Sequence, residues 1–274
     1  MIDAHQHFWK FDPVRDAWIT PDMSVIRRDF FPADLEPLLK QNHVEGCVAV
    51  QADQSEEETL FLLSLAEQSP MIKAVVGWVD LRRADLRERL QYFSSFKKLK
   101  GFRHIVQGEP AGFLKNASFI KGVNLLGEMG YTYDLLIYAH QFEEALGFLH
   151  DTRQTKIVID HIAKPSIRTK EKTRWELDLA AASTFKNVYC KISGMVTEAN
   201  WKDWSKEDFF PYLDEVFETF GEDRLMYGSD WPVCLLAANY QQQLEILDDY
   251  LSRNSSIEKK KIMRENAIQF YNIE

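Results

Sequence analysis

Residues 46–81 read GCVAVQADQSEEETLFLLSLAEQSPMIKAVVGWVDL. The opening GCVAV is an unbroken apolar run, rich in Val and too short to be a helix, as expected of a strand covered on both faces. Ser55 with Glu58 three residues on has the form of a capping box, in which hydroxyl and carboxylate satisfy orphan amides at the start of a helix through TLFLLSLAEQ. A second Val-rich run begins at Ile72. Strand, helix and strand within about 30 residues form a βαβ unit, whose two strands are parallel and whose crossover is right-handed.

The same unit repeats in both directions along the chain. Strand-like runs start near Ile2, Gly46, Ile72, Leu99, Thr132, Lys156, Val188 and Leu225, with amphipathic helical segments between them and a last helix from about Ile257 to Tyr271. Eight such repeats favour a closed (β/α)8 TIM barrel over an open doubly wound sheet, and no G-x-G-x-x-G turn follows the first strand to cradle a dinucleotide. No Pro-, Gly- or Ser-rich linker interrupts the pattern, so residues 1–274 are expected to form one domain. One connection is long: residues 8–32, FWKFDPVRDAWITPDMSVIRRDFFP. A loop of that length carrying Phe8, Trp9, Phe11, Trp18, Phe30 and Phe31 is expected to cover the barrel mouth, or to plug it with packed aromatics.

Composition removes several function classes. With 45% hydrophobic and 27% charged residues the chain is an ordinary globular protein. Its 33 basic and 42 acidic side chains give a net charge of −9, and the densest basic run is only residues 259–261, which disfavours nucleic acid as a partner. No apolar run approaches the roughly 18 residues of a membrane span, and no leader precedes the first strand, so neither membrane nor export is expected. The three cysteines, Cys47, Cys190 and Cys234, are odd in number and lack metal-site spacing, which fits free thiols in a reducing cytoplasm. Barrels often self-associate, so a homo-oligomer stays open.

In a parallel barrel the reactive groups stand at the C-terminal strand ends. His5 and His7 close the first strand two residues apart, which points both imidazoles to one face. Near the end of the sixth strand, Asp160 and His161 are adjacent, and strand alternation lets only one of them face inward. Asp230 follows the eighth strand in GSDWP, where it either serves the chemistry or caps a turn. Arg103, His104 and Gln107 end the fourth strand, and Lys191 and Ser193 the seventh; each is a candidate for substrate binding or for a structural role. His140 either borders the site or begins the next helix. His43 and His150 lie near helix C-termini, which favour a partly charged imidazole, and carry no assigned chemistry.

Together His5-x-His7, Asp160-His161 with Lys164-Pro165, Lys191-Ile-Ser193-Gly194 and Gly228-Ser-Asp230-Trp231-Pro232 resemble the amidohydrolase superfamily, and within it the sugar-lactonase branch. That resemblance covers essentially the whole chain. It implies a (β/α)8 fold and hydrolysis of a small aldonolactone, such as L-fuconolactone or L-rhamnonolactone. By the same resemblance Asp230 is the base that deprotonates water, and His5, His7 and His161 match imidazoles that bind metal in metal-dependent relatives.

The fourth strand offers no inward Lys or Glu as a bridging ligand, so a two-metal site is not expected. One divalent, zinc-like ion on His5, His7, His161 and Asp230, or none, remains open; no organic cofactor is implied. Arg103, His104, Gln107 and Lys191 are the expected polar contacts to substrate, with Trp9 or Trp231 against a sugar face. A non-oxidative decarboxylase on the same barrel and a non-catalytic barrel binding a sugar acid are the alternatives.

Overall fold

The computed structural model describes residues 1–254 and 257–274. Eight strands, β1 (Ile2–Gln6), β2 (Gly46–Val50), β3 (Ile72–Gly77), β4 (Leu99–His104), β5 (Thr132–Leu135), β6 (Ile157–Ile159), β7 (Val188–Ile192) and β8 (Leu225–Tyr227), lie in one sheet in sequence order. Each neighbouring pair is parallel. The segment after β8 closes the ring against β1: the Asp230 N–H donates to His5 O at 2.8 Å and the His7 N–H to Trp231 O at 2.7 Å.

Helices α1 (Pro32–Gln41), α2 (Glu56–Gln68), α3 (Leu86–Phe93), α4 (Ala117–Glu128), α5 (Phe142–Asp151), α6 (Thr173–Ser183), the single turn α7 (Met195–Glu198), α8 (Phe210–Phe220) and α9 (Tyr240–Arg253) follow the strands in turn. A π-helical turn, Lys261–Glu265, leads into α10 (Asn266–Tyr271). Among the described residues no helix is long and apolar enough to cross a membrane.

Two apolar regions hold the barrel. The outer one joins strands to helices. The inner one is smaller: Ile2, Ala4, Val48, Val50, Ala74, Val76, Val158 and Met226 point to the axis and meet Ala267, Phe270 and Tyr271 of α10. α10 therefore stoppers the end of the barrel opposite the mouth, and the strands need polar side chains only above that stopper.

The long connection after β1 is ordered by its aromatics. Trp9 and Phe30 pair their backbones at 3.1 and 2.9 Å, pinning the two ends of the loop together. Phe30 stands edge-on to Trp231 at 5.2 Å, and Phe8 to Trp231 at 6.2 Å. Phe8 and Phe30 are thus used in packing over the end of β8, while Trp18 is left 44% exposed.

The start of α2 differs from a full capping box. Ser55 Oγ accepts the Glu58 N–H at 3.1 Å as expected, but the Glu58 carboxylate accepts from Ala52 N–H at 3.2 Å instead of returning to Ser55. Glu58 is buried by this turn inward, and burial pushes its carboxyl up to about 7. An acid whose folded pKa is raised binds more protons than the unfolded chain, so its cost is absent below about 4.5 and complete above about 7. Wild-type protein is therefore expected to lose part of its urea resistance between pH 5 and pH 8. The Glu58→Gln variant should lose less over the same range; parallel pH dependences in the two proteins would exclude this source.

Candidate active site

Above the apolar stopper the barrel axis carries charge. Asp134 on β5, Lys191 on β7 and Asp160 after β6 are each fully buried. Lys191 Nζ lies 2.5 Å from Asp134 Oδ2 and 3.0 Å from Asp160 Oδ1. Tyr271 Oη donates to Asp134 Oδ2 at 2.8 Å, linking the ladder to α10. Arg103 NH1 adds a second cation, 3.2 Å from Asp160 Oδ2. Its NH2 donates to the Gln51 carbonyl.

Burial pushes the Asp134 carboxyl up to about 6, with the Asp160 charge adding to it and Lys191 opposing. Burial acts upward on Asp160 too, but Lys191, His5 and Arg103 together outweigh it and hold that carboxyl well below its ordinary value.

The imidazoles stand on this ladder. Register between β1 and β2 slips by one residue between Asp3 and Gln6, and a bulge of that kind re-aims the side chains beyond it. Ile2 and Ala4 face the inner apolar cluster, and His5 and His7 still enter the mouth. Gly228 allows this approach: a Cβ there would fall 2.5 Å from His5 Cβ. His5 Nδ1 lies 3.2 Å from both Asp160 Oδ1 and Lys191 Nζ. His7 Nδ1–H donates to the Val50 carbonyl at 2.8 Å, which directs Nε2 toward His5 and Asp230.

β6 departs from strand alternation. It ends at Ile159, and the next residues turn: His161, Ile162, Ala163 and Lys164 have φ of 56, 48, 60 and 49°. Left-handed backbone is rare for residues with a Cβ, above all for a β-branched one such as Ile162. The turn brings both Asp160 and His161 inward, correcting the expectation that only one could be. His161 Nδ1 is hydrogen-bonded to Ser193 Oγ at 2.9 Å, and Gly194, at φ 62°, lies so close that a Cβ would sit 2.5 Å from that ring nitrogen. Burial lowers the His161 imidazole to about 4 and the His5 imidazole well below its ordinary value.

Asp230 also sits in the left-handed region, with φ 56°. Its Oδ1 lies 3.4 Å from His7 Nε2, 3.8 Å from His5 Nε2 and 3.9 Å from His161 Nε2; His5 Nε2 and His7 Nε2 are 3.2 Å apart. Burial acts upward on this carboxyl, but His161, His7 and His5 hold it below the carboxylate range, so it is ionised at neutral pH.

His5, His161 and Asp230 each place one donor atom within 4.8 Å of the others, close enough to hold one ion, and His7 Nε2 lies beside two of them. Metal–nitrogen distances of about 2.0–2.1 Å put neighbouring ligands about 3.4 Å apart. Each imidazole, moreover, has its other ring nitrogen occupied by a carbonyl, a carboxylate or a hydroxyl, the usual outer support of a metal-binding histidine.

Other candidates from the sequence are placed elsewhere. His104 faces away from the axis: Nδ1 accepts from Trp78 Nε1 at 3.2 Å, Nε2 meets Glu109 Oε1 at 2.7 Å, and the ring stacks on Phe113 at 4.8 Å. The reason is alternation, since Arg103 takes the inward position. Lys191 is sealed beneath His5 and supports the site from below, out of reach of a ligand in the mouth. Trp231 is buried against Phe8 and Phe30, and no sugar face can reach it.

Trp9 borders the site, its ring 6.4 Å from that of His7, with Nε1–H donated to Arg28 O. Gln107 has its backbone N–H on Leu136 O, and its side-chain oxygen is buried without a partner among the described residues. His140 is exposed on the turn before α5 and stacks on Tyr138 at 5.7 Å. Sequence reasoning missed Asp134; the signal was available, because a carboxylate inside the apolar run TYDLL demands a buried cation, and Lys191 in VYCKI is one.

A family model described as amidohydrolase matches residues 2–273. The chain is 37% identical to the L-fucono-1,5-lactonase of Burkholderia multivorans, across 98% of this chain and 95% of that protein. It is 31% identical to the L-fucono-1,5-lactonase of Burkholderia ambifaria, across 100% and 96%. The crystal structure of an amidohydrolase from Burkholderia multivorans with bound zinc superposes with a TM-score of 0.94 at 35% identity, covering 100% of this chain and 99% of that one. With a barrel closed by GSDWP and three imidazoles converging on its aspartate, the chain belongs to the amidohydrolase family.

Proposed function

We propose that the protein is a lactonase, opening the ring ester of a small aldonolactone of the L-fuconolactone or L-rhamnonolactone kind by water attack, with Asp230 as general base. The observation that carries this reading is an ionised, buried carboxylate at the end of β8, 3.4 to 3.9 Å from three imidazole nitrogens. The relatives identical at 31% and 37% over nearly the whole chain are named for a 1,5-lactone, which favours a six-membered ring. The decarboxylase alternative is less supported: the 2,6-dihydroxybenzoate decarboxylase structures that match do so at 12% identity, which speaks for the fold alone.

Asp230 takes a proton from water as the oxygen adds to the ring carbonyl. A carboxylate held below its usual range is a weak base in free solution, but here it acts on water already aligned with the carbonyl, and proximity supplies most of the gain. Arg103 NH1, 3.4 Å from His5 Nε2, is a fixed cation beside this centre that can meet the developing oxyanion. One such donor is worth about 3 kcal/mol, or roughly 100-fold in rate. Protonated Asp230 then returns its proton to the departing ring oxygen, so the base is restored in each turnover.

His5, His161 and Asp230 fit one divalent, zinc-like ion by spacing and by donor type, and His7 stands beside them as a further donor. Such an ion, when bound, supplies Lewis-acid polarisation of a carbonyl and a lower pKa for water. The three cysteines are free and buried, in keeping with the cytoplasm as the compartment.

Asp230→Asn should keep the fold, read by circular dichroism, and lower kcat on L-fucono-1,5-lactone by at least 100-fold; near-normal turnover would remove the base assignment. Metal-free protein titrated with zinc is expected to bind one ion per chain in calorimetry, and His161→Ala to abolish that binding. Unchanged stoichiometry in the variant would place the ion elsewhere.

A further inference from the structure

Three consecutive strand ends bring side chains to the mouth that the proposed chemistry does not use. Tyr138 follows β5, Lys164 follows β6 and Glu198 ends α7 after β7. Lys164 Nζ lies 3.7 Å from Glu198 Oε1, and 5.3 Å from the centre of the Tyr138 ring. The two charged side chains are only 15% and 22% exposed. At 3.7 Å the pair is an ion pair rather than a hydrogen bond, and among the described residues neither group hydrogen-bonds to anything else.

Ions so far removed from water normally recover their solvation through hydrogen bonds. Here no protein group among the described residues takes up the three N–H donors or the carboxylate lone pairs, which leaves them to water or a ligand.

Both groups are tied to the reactive centre. The Lys164 N–H donates to His161 O at 2.8 Å, so the lysine belongs to the same left-handed turn as that imidazole. Glu198 is on the helical turn that starts at Gly194, the residue pressed against the His161 ring. A ligand placed by His161 and Asp230 is therefore placed relative to this pair as well. An ammonium beside a carboxylate is complementary to two hydroxyls on adjacent carbons: one O–H donates to the carboxylate while the neighbouring oxygen accepts from the ammonium.

We propose that Lys164 and Glu198 form the subsite that reads vicinal hydroxyls on the substrate ring, and so set the preference for polyhydroxylated lactones over plain ones. The identity of the ring rests on the lactonase reading; the diol subsite does not require it. Hydrogen bonds to charged groups are strong enough for their loss to cost about 10- to 100-fold.

The test uses wild type and the isosteric Glu198→Gln in two assays. In the first, kcat/KM is measured on L-fucono-1,5-lactone and on δ-valerolactone, which has no hydroxyls. Glu198→Gln is expected to reduce the ratio of the two values about 10- to 100-fold, chiefly through KM for the hydroxylated ring, and Lys164→Met to act in the same direction. An unchanged ratio, with both substrates losing alike or neither losing, overturns the proposal. In the second assay, calorimetry measures binding of L-fuconate, the open-chain acid, whose affinity is expected to fall by a similar factor in Glu198→Gln. If wild type hydrolyses neither lactone yet binds L-fuconate in a Glu198-dependent way, the subsite stands and the lactonase reading falls. Equal affinity in the two proteins, or no binding by wild type, overturns the subsite.

Discussion

Everything above the stopper of this barrel depends on one buried ammonium. Lys191 Nζ is held between the carboxylates of Asp134 and Asp160, with no exposed surface on any of the three. Removing one member of such a set costs about 3–5 kcal/mol, because the remaining charges cannot reach water. A packed apolar layer of the same volume would serve stability as well. What the ions add is direction: Asp160 and Lys191 both meet His5 Nδ1, Arg103 braces Asp160, and Tyr271 ties the ladder to the helix that closes the far end.

The reactive layer is built from backbone positions that ordinary strand geometry does not supply. β1 slips register to aim His5 and His7; β6 stops early and turns left-handed through four residues; Asp230 itself has positive φ. Each departure costs about 1–3 kcal/mol where a side chain with a Cβ is forced into the left-handed region. Such costs concentrate where a fixed geometry is worth more than stability. Here they place three imidazole nitrogens around one carboxylate oxygen, while glycines 194 and 228 leave room for the rings to approach.

How much of this was legible follows from the same physics. The eight strands were readable because parallel barrel strands are apolar on both faces, and GCVAV, IKAVV and VYCKI announce themselves. His5, His7 and Asp230 were readable because period-two spacing and strand-end position are local properties. His161 is a candidate by resemblance and strand-end position, but the inward placing of Asp160 beside it is not legible, because alternation fails once the strand gives way to a left-handed turn, and nothing in DHIAKP marks that change. His104 was misjudged for the opposite reason: β4 does alternate, and Arg103 holds the inward place. Lys191 and Trp231, expected from the sequence as substrate contacts at the rim, lie beneath and behind it in space, which depends on tilt and packing that spacing does not encode. Lys164 and Glu198, from separate loops, could be paired only by the fold.

The role of Asp230 is the point on which the chemistry turns: it acts on water, or it attacks the ring itself. A single turnover with enzyme in excess over L-fucono-1,5-lactone, run in water enriched in oxygen-18, separates the two by mass spectrometry. Expected is one heavy oxygen in the carboxylate of the first-turnover product and none in the protein. Unlabelled first-turnover product, with the heavy oxygen retained on Asp230, would contradict general-base catalysis and make this carboxylate a nucleophile.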